Sequence, residues 1–421
     1  MSGRDPFCQP RRSRSGAGLT LVFVGVLVAG AATGSLPGHE RGSAASAHRG
    51  VPVPSAPVGP PAPGSAPDSS TPDSAAASAH RSSSPVSPSE QVARAAAEAM
   101  AVGKSPVEAA EHAVSRSGDR WGAVYSPGDY EEFQDALDGR YTGVGLWARR
   151  ARDGRIDVTE VQTGSPAADA GIRAGDRLRS VDGEKVDGRP VTDVVSLLRG
   201  DADDAPAGTS VTLGLQRGSH TWTRTLRRAR LSTDSVSVRR LSDGTTVIKI
   251  TAFTKGAGDK VRTAVRGAPA RSGIVLDLRG NSGGLVTEAV TTASAFLDGG
   301  LVATYDVDGS QRALHAEPGG DTTRPLVALV DGGTMSAAEL LTGALKDRGR
   351  ALVVGSRTFG KGSVQMPTRL PDGSVAELTV GHYRTPAGRS VDGHGITPDL
   401  DAGTDPMSRA RTVLTGLGDP S

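Results

Sequence analysis

The sequence predicts a mixed α/β (α+β) chain: a layered body preceded by a small β-rich module, with a helical region ahead of both. Three observations carry this. From 229 to 400, short apolar runs alternate with segments of helical spacing, the pattern of a layered α/β fold. From Tyr141 to about Arg228, apolar and charged residues alternate with period two, as in half-buried strands. From 89 to 118, Ala and Glu dominate. At 421 residues the chain has room for two or three domains.

The N-terminus reads as a targeting segment, residues 1–38. Arg4, Arg11, Arg12 and Arg14 precede an uncharged run from Ser15 to Gly38 with its apolar heart at Leu19 to Ala32, a charged region followed by a hydrophobic one. Cleavage near Ala29-Gly30-Ala31 gives a secreted protein; retention gives a signal anchor. The 24-residue run favours the anchor, since about 20 apolar residues span a bilayer. The positive flank directs the remainder outside, so an extracytoplasmic location is expected. Residues 39–88 are Ser, Ala, Pro and Gly with few bulky side chains; such a stretch buries too little to offset chain entropy and reads as a disordered linker.

Residues 89–140 form the helical region, broken near Lys104-Ser105-Pro106 and restarting at Ser126-Pro127, where Asp129, Glu131 and Glu132 suit a helix N-terminus. In the module, 141–228, Ile156/Val158 and Val211/Leu213/Leu215 mark strands. Val191, Val194, Val195 and Leu198 form one helical face, Gly164-Ser165-Pro166-Ala167-Ala168 a short helix, and Asp182-Gly183 a hairpin turn. In the body, 229–400, strands are expected at 246–253, 273–278, 326–330 and 351–355, and helices at 260–267, 285–297 and 336–347. The polar stretch 306–324 reads as a surface excursion and 401–421 as a C-terminal tail.

Composition excludes several functions. The net charge is +2 and basic residues are scattered, so no nucleic-acid footprint exists. The single cysteine, Cys8, rules out a disulfide framework, and the eight histidines have no metal-ligand spacing, so neither metal nor cofactor is expected.

Chemistry concentrates in three segments. Ser336 opens a helix with Glu339 three residues on, a capping box; the same geometry sets free N–H groups beside a hydroxyl, as a nucleophile requires. The N–H of Ala337 is the natural oxyanion donor. Lys361 lies in Gly355-Ser356-Arg357-Thr358-Phe359-Gly360-Lys361-Gly362, and the chain holds only seven lysines. This loop nearly fits a phosphate-binding loop, but Gly362 stands where Ser or Thr must hold magnesium. Third, Leu276-Asp277-Leu278-Arg279-Gly280-Asn281-Ser282-Gly283-Gly284 ends an apolar strand in a glycine turn, where backbone can approach a substrate closely. A serine that meets a buried lysine is an alternative to the Ser-His-Asp triad; His382 and His394 lie in no patterned setting.

With these motifs in place, residues 141–228 resemble a PDZ domain. Gly143-Val144-Gly145-Leu146 is similar to the loop whose amides hold a peptide's terminal carboxylate. From 89 to 400 the chain resembles the carboxy-terminal processing peptidases, or tail-specific proteases. The resemblance rests above all on Leu352-Val353-Val354-Gly355, Thr358-Phe359-Gly360-Lys361-Gly362, Thr385-Pro386-Ala387-Gly388-Arg389-Ser390 and Gly395-Ile396-Thr397-Pro398-Asp399. It implies a ClpP/crotonase-like peptidase core, Ser336 as nucleophile, Lys361 as general base and Gln365 orienting the lysine. The Gly284 and Ala337 amides would form the oxyanion hole. The partners implied are protein or peptide substrates with accessible C-termini, with the membrane as a further one if the N-terminus is retained. Thr334, Met335 and Ala338 replace the family's usual Ser, Ala and Ser, and Asp331 stands where Asn is common. The competing reading is a membrane-tethered, non-catalytic PDZ scaffold.

Overall fold

Four helices begin alike, with a serine followed by a proline. Ser87, Ser105, Ser126 and Ser165 each accept a hydrogen bond on the side chain from the N–H three residues on, at 3.1–3.3 Å. Each next residue is the helical proline, whose missing N–H costs nothing in the first turn. The computed structural model describes residues 87–200, 205–270, 272–307 and 310–418. The expected targeting segment and nearly all of the expected linker lie outside the described residues. No helix among the described residues is long and apolar enough to cross a membrane.

The helical region holds α1 (Pro88–Ala101), α2 (Pro106–Ser117), β1 (Ala123–Tyr125) and α3 (Pro127–Leu137). The module follows with β2 (Arg140–Gly143), β3 (Leu146–Arg150), β4 (Ile156–Val161), α4 (Pro166–Asp169), β5 (Arg177–Val181), β6 (Glu184–Lys185), α5 (Val191–Arg199), β7 (Ser210–Arg217), β8 (His220–Arg227) and β9 (Ala229–Ser232). Its main sheet runs β3-β4-β5-β7-β8, with β6 on β5. Ile156, Val158, Leu178, Val211 and Leu213 meet Val194 and Leu198 of α5 in one core. Antiparallel pairing of β2 with β9 closes the module where it joins the body.

The body holds β10 (Val236–Arg240), β11 (Thr246–Ile250), α6 (Ala257–Gly267), β12 (Ile274–Asp277), α7 (Val286–Ser294), β13 (Leu301–Val307), β14 (Ser310–His315), β15 (Leu326–Val330), α8 (Ala337–Asp347), β16 (Leu352–Gly355), β17 (Ser363–Arg369), β18 (Val375–Arg384), β19 (Leu400–Asp401) and α9 (Pro406–Gly418). A six-stranded sheet, β10-β11-β12-β15-β16-β19, is parallel except at β10. Its four inner strands, β11, β12, β15 and β16, are covered on both faces and read as largely apolar runs. Alternate residues split between the faces: Ile274, Leu276, Leu326 and Ala328 pack with α6, α7 and α8. Val275, Val327 and Leu329 pack with Ala410 and Leu414 of α9. A second sheet, β1-β18-β13-β14 with β17 on β18, carries α1 and α2 on Leu370, Ala376 and Leu378.

Two segments differ from expectation. Part of the predicted surface excursion is β14, an edge strand paired with β13. The predicted C-terminal tail contains α9, whose Ala410 and Leu414 are buried. Leu414→Ala is therefore expected to cost about 2–4 kcal/mol, read from urea midpoints; an unchanged midpoint would make α9 an appendage.

Candidate active site

Strand β15 is buried from end to end and delivers the chain into the turn Asp331–Met335. Asp331 Oδ1 accepts from the N–H groups of Gly280 and Gly333, both at 2.9 Å. The Thr334 hydroxyl donates to the Leu278 carbonyl at 2.9 Å and accepts from the Asp331 N–H at 3.0 Å. Asn281, fully buried, accepts from Met335 N–H through its carbonyl and from Gly283 N–H through its side chain, each at 2.8 Å. The glycine turn after β12 and the turn after β15 are thus one interlocked unit. Two of the residues that depart from the family pattern, Asp331 and Thr334, supply its bonds.

Ser336 stands at the start of α8 with φ 55° and ψ −119°. Apart from Asp182, it is the only non-glycine with positive φ among the described residues, a conformation that costs on the order of 1–3 kcal/mol and clusters at functional sites. The Glu339 N–H donates to the Ser336 carbonyl at 2.8 Å. The amides of Ala337 and Gly284 have no acceptor among the described residues. Gly283 lies so close that an added Cβ would sit 2.9 Å from Ser336 Cβ and 3.0 Å from the Met335 carbonyl oxygen. Its φ of 102° and the φ of 127° at Gly284 also demand glycine. The turn is pinned from behind: Phe253 N–H donates to the Gly283 carbonyl at 2.7 Å, and Leu285 N–H to the Phe253 carbonyl at 2.8 Å.

The lysine loop is brought to this turn by a single carboxylate. Glu339 is fully buried. Its Oε2 accepts from the N–H groups of Ser336 (3.0 Å) and Lys361 (2.9 Å). Its Oε1 accepts from Gly360 N–H (2.7 Å) and from the Thr358 hydroxyl. Burial pushes the Glu339 carboxyl above the ordinary range, against the pull of these donors. A second bridge comes from Tyr383 of β18, whose hydroxyl lies 3.0 Å from the Ser336 carbonyl oxygen and 3.2 Å from that of Lys361. Ser336 and Lys361 thus share one acceptor for their N–H groups and one donor for their carbonyls.

The Lys361 ammonium is largely buried, with Nζ 5.0 Å from the centroid of the Trp121 ring. Burial lowers its pKa, and the charges of Glu377 and Asp119 oppose that shift less strongly. Gln365 turns its amide nitrogen to Ser363 Oγ (2.8 Å) and Thr379 Oγ1 (3.2 Å). Thr379 is in turn held by Asp119 at 2.7 and 2.8 Å. His382 lies 3.7 Å from Asp392, and His394 meets the Asp392 carbonyl at 2.7 Å. The segment after Gly362 is strand β17, where a phosphate-binding loop would continue into a helix. No His, Cys, Asp and Glu cluster among the described residues could hold a metal.

Gly143-Val144-Gly145-Leu146 runs from the last residue of β2 to the first of β3, in the module. The Val144 and Gly145 carbonyls accept from Ala167 and Gln162 N–H groups, both at 2.9 Å. Gly145, at φ 78°, has no room for a Cβ against Ser165. Sequence reasoning missed Asp119, Trp121, Glu377 and Tyr383 and read Glu339 only as a cap. Trp121 carried a faint signal as the first aromatic after the long aromatic-free stretch.

Residues 244–402 match the model of peptidase family S41, and residues 158–217 match that of a PDZ domain. Carboxyl-terminal-processing peptidase 3 of the Arabidopsis thaliana chloroplast is 36% identical over 311 residues, covering 69% of this chain and 59% of that protein. Carboxy-terminal processing protease CtpA of Bacillus subtilis is 32% identical over 277 residues, covering 65% and 58%. The chain thus spans somewhat under two thirds of the length of these curated relatives. A solved structure of a photosystem II D1 C-terminal processing protease has 30% identity and a TM-score of 0.46, covering 75% of this chain and 86% of that one.

Glu339→Gln would turn an amide NH2 toward groups that all donate. It is expected to lower stability by about 2–4 kcal/mol, read by denaturant unfolding, and to slow labelling of Ser336 by a fluorophosphonate. Unchanged stability and labelling would refute the clamp.

Proposed function

We propose that this chain, which belongs to peptidase family S41 and carries a PDZ domain, is an extracytoplasmic serine endopeptidase that recognises C-terminal tails of protein substrates and cleaves them with a Ser336/Lys361 dyad. The observation that carries the reading is the double tie between the two residues: Glu339 accepts from both N–H groups, and Tyr383 Oη meets both carbonyls.

Neutral Lys361 takes the proton of Ser336 Oγ as the oxygen attacks the scissile carbonyl. The resulting oxyanion receives the N–H groups of Ala337 and Gly284, which are free for it and stand beside a helix N-terminus. The Lys361 ammonium returns the proton to the leaving amine. Water, deprotonated by the same lysine, then clears the acyl-enzyme. Gln365, whose amide nitrogen is engaged by Ser363 and Thr379, is assigned to orient the lysine, its oxygen being the acceptor left for an ammonium.

Tail recognition is supported by the module. Among the described residues strand β3 pairs only with β4, so its outer edge can take a peptide as an added strand, ending at the amides of Gly143-Val144-Gly145-Leu146. The N-terminal apolar run anchors or exports the chain, and carbonate extraction of a membrane fraction tests that part: its absence from both membrane and secreted fractions would remove it.

A general base must be neutral. Burial lowers the Lys361 pKa, so activity is expected to rise with pH through a midpoint below that of a free lysine, about 10.4. The test uses the full chain with an unfolded protein bearing an apolar C-terminal tail. Ser336→Ala and Lys361→Ala should each lose about 10³-fold or more, and amidating the tail should lower kcat/KM at least tenfold. Activity surviving in both variants would move the chemistry elsewhere; indifference to the terminal carboxylate would sink tail recognition alone.

A further inference from the structure

The α2–β1 turn delivers an aromatic ring to the base from far away in sequence. Gly118 ends α2 in the left-handed conformation, φ 75°. Asp119 then folds the chain back: its Oδ1 accepts from the N–H groups of Trp121 (3.0 Å) and Gly122 (2.9 Å). The same carboxylate accepts from the Thr379 N–H and hydroxyl at 2.7 and 2.8 Å. Trp121 is thereby held against β18 with little freedom. Its ring meets Phe359 edge to face at 5.8 Å and faces the Lys361 ammonium at 5.0 Å. The Arg120 guanidinium lies 4.7 Å from the same ring centroid.

We propose that Trp121 is a positioning residue for Lys361: its ring covers the amine, keeps water from it and holds it toward Ser336. The assignment rests on Lys361 being the general base. Two effects of the ring oppose one another. A π face attracts the ammonium and favours the charged form, by about 0.5–2 kcal/mol. Exclusion of water disfavours the charged form, by up to several pKa units for a fully buried amine. The groups that face Lys361 are Glu377 of β18 and Asp119 of the turn. Glu339 holds its N–H, and Asp392, beside His382, holds the next one. Both neighbouring carboxylates favour the charged amine, yet the pKa is lowered, with burial the largest cause. The ring lies over the amine at 5.0 Å and so takes part in that burial; on this proposal its exclusion of water outweighs its attraction for the ammonium. Removing the ring should return water and raise the Lys361 pKa.

The test compares the full chain with Trp121→Ala and Trp121→Leu. In Trp121→Ala the midpoint of the rising limb of kcat/KM should move up by about one pH unit. That is about a tenfold loss below the midpoint, shrinking to within about twofold on the alkaline plateau. Trp121→Leu keeps apolar cover without the π face, so its midpoint should stay at or below the parent's. A direct readout comes from reductive 13C-methylation of the lysines in a Ser336→Ala background. With seven lysines in the chain, the Lys361 resonance is assignable by its loss in Lys361→Arg. Its titration should move with the kinetic midpoint. An unmoved or lowered Lys361 titration in Trp121→Ala, or a loss equal at every pH, overturns the assignment. Retained activity in Lys361→Ala instead overturns the dyad reading on which it stands, and the two failures are distinct.

Discussion

Everything at the site depends on one buried carboxylate. Glu339 sits in the first turn of α8: it reaches back to Ser336 and, past β16, across to Thr358, Gly360 and Lys361. A carboxylate offers about four lone-pair directions, and four donors from two loops fill them. Taking such a charge out of water is expensive unless every direction is met. The fold meets three of them with main-chain N–H groups, which cannot rotate away, and the fourth with the Thr358 hydroxyl. The lysine loop therefore has one low-energy docking position on the serine turn. A side chain with no acceptor at 339 would leave three amides and a hydroxyl without this partner.

The same economy of donors explains the strain at Ser336. With φ 55°, the residue forgoes ordinary backbone geometry and Ala337 keeps an unused N–H. The cost is offset by neighbours that over-determine the turn: Asn281 and Asp331 fasten it to the glycine turn, and Tyr383 holds the Ser336 carbonyl. Thr334 and Asp331 depart from the family's usual residues, yet their oxygens serve this fastening directly. The departures therefore preserve the geometry around Ser336. Gly283 sets the closest approach, since any side chain there would collide with Ser336 itself.

Much of the fold was legible because its signals are local. The four inner strands of the six-stranded sheet are short apolar runs covered on both faces, and the serine-proline starts announce four helices; the edge strands β10 and β19 carry no such run. What escaped lacks a periodic signature. Strand β14 is exposed along almost its whole length; with no buried face it shows no alternation, so it reads as loop. Helix α9 follows polar turn residues, and the two buried residues that bind it to the sheet are a sparse signal. At the site, Ser336, Ala337 and Glu339 fall in one short motif and Lys361 in another, so each was readable by itself. Asp119 and Thr379 stand 260 residues apart, and nothing in either neighbourhood announces the other. Tyr383 and Glu377 lie on a strand whose pattern reports only burial.

The environment of Lys361 shows why that blindness matters. A lysine in a glycine-rich loop suggests chemistry, but its protonation is decided by what surrounds it, and the surroundings come from the two ends of the described chain. The α2–β1 turn brings a carboxylate and an aromatic ring; β18 brings Glu377, whose own carboxyl burial pushes up while Lys361 pulls it down. Two carboxyls near an amine would ordinarily fix it as an ammonium. Here each of the partners is itself costly to charge or already engaged: Glu377 by burial, Asp119 by four hydrogen bonds. Their hold on Lys361 is weakened accordingly, and burial prevails in setting its pKa. The helical region is therefore a structural part of the site, since removing it would strip Lys361 of both its ring and one of its two neighbouring charges.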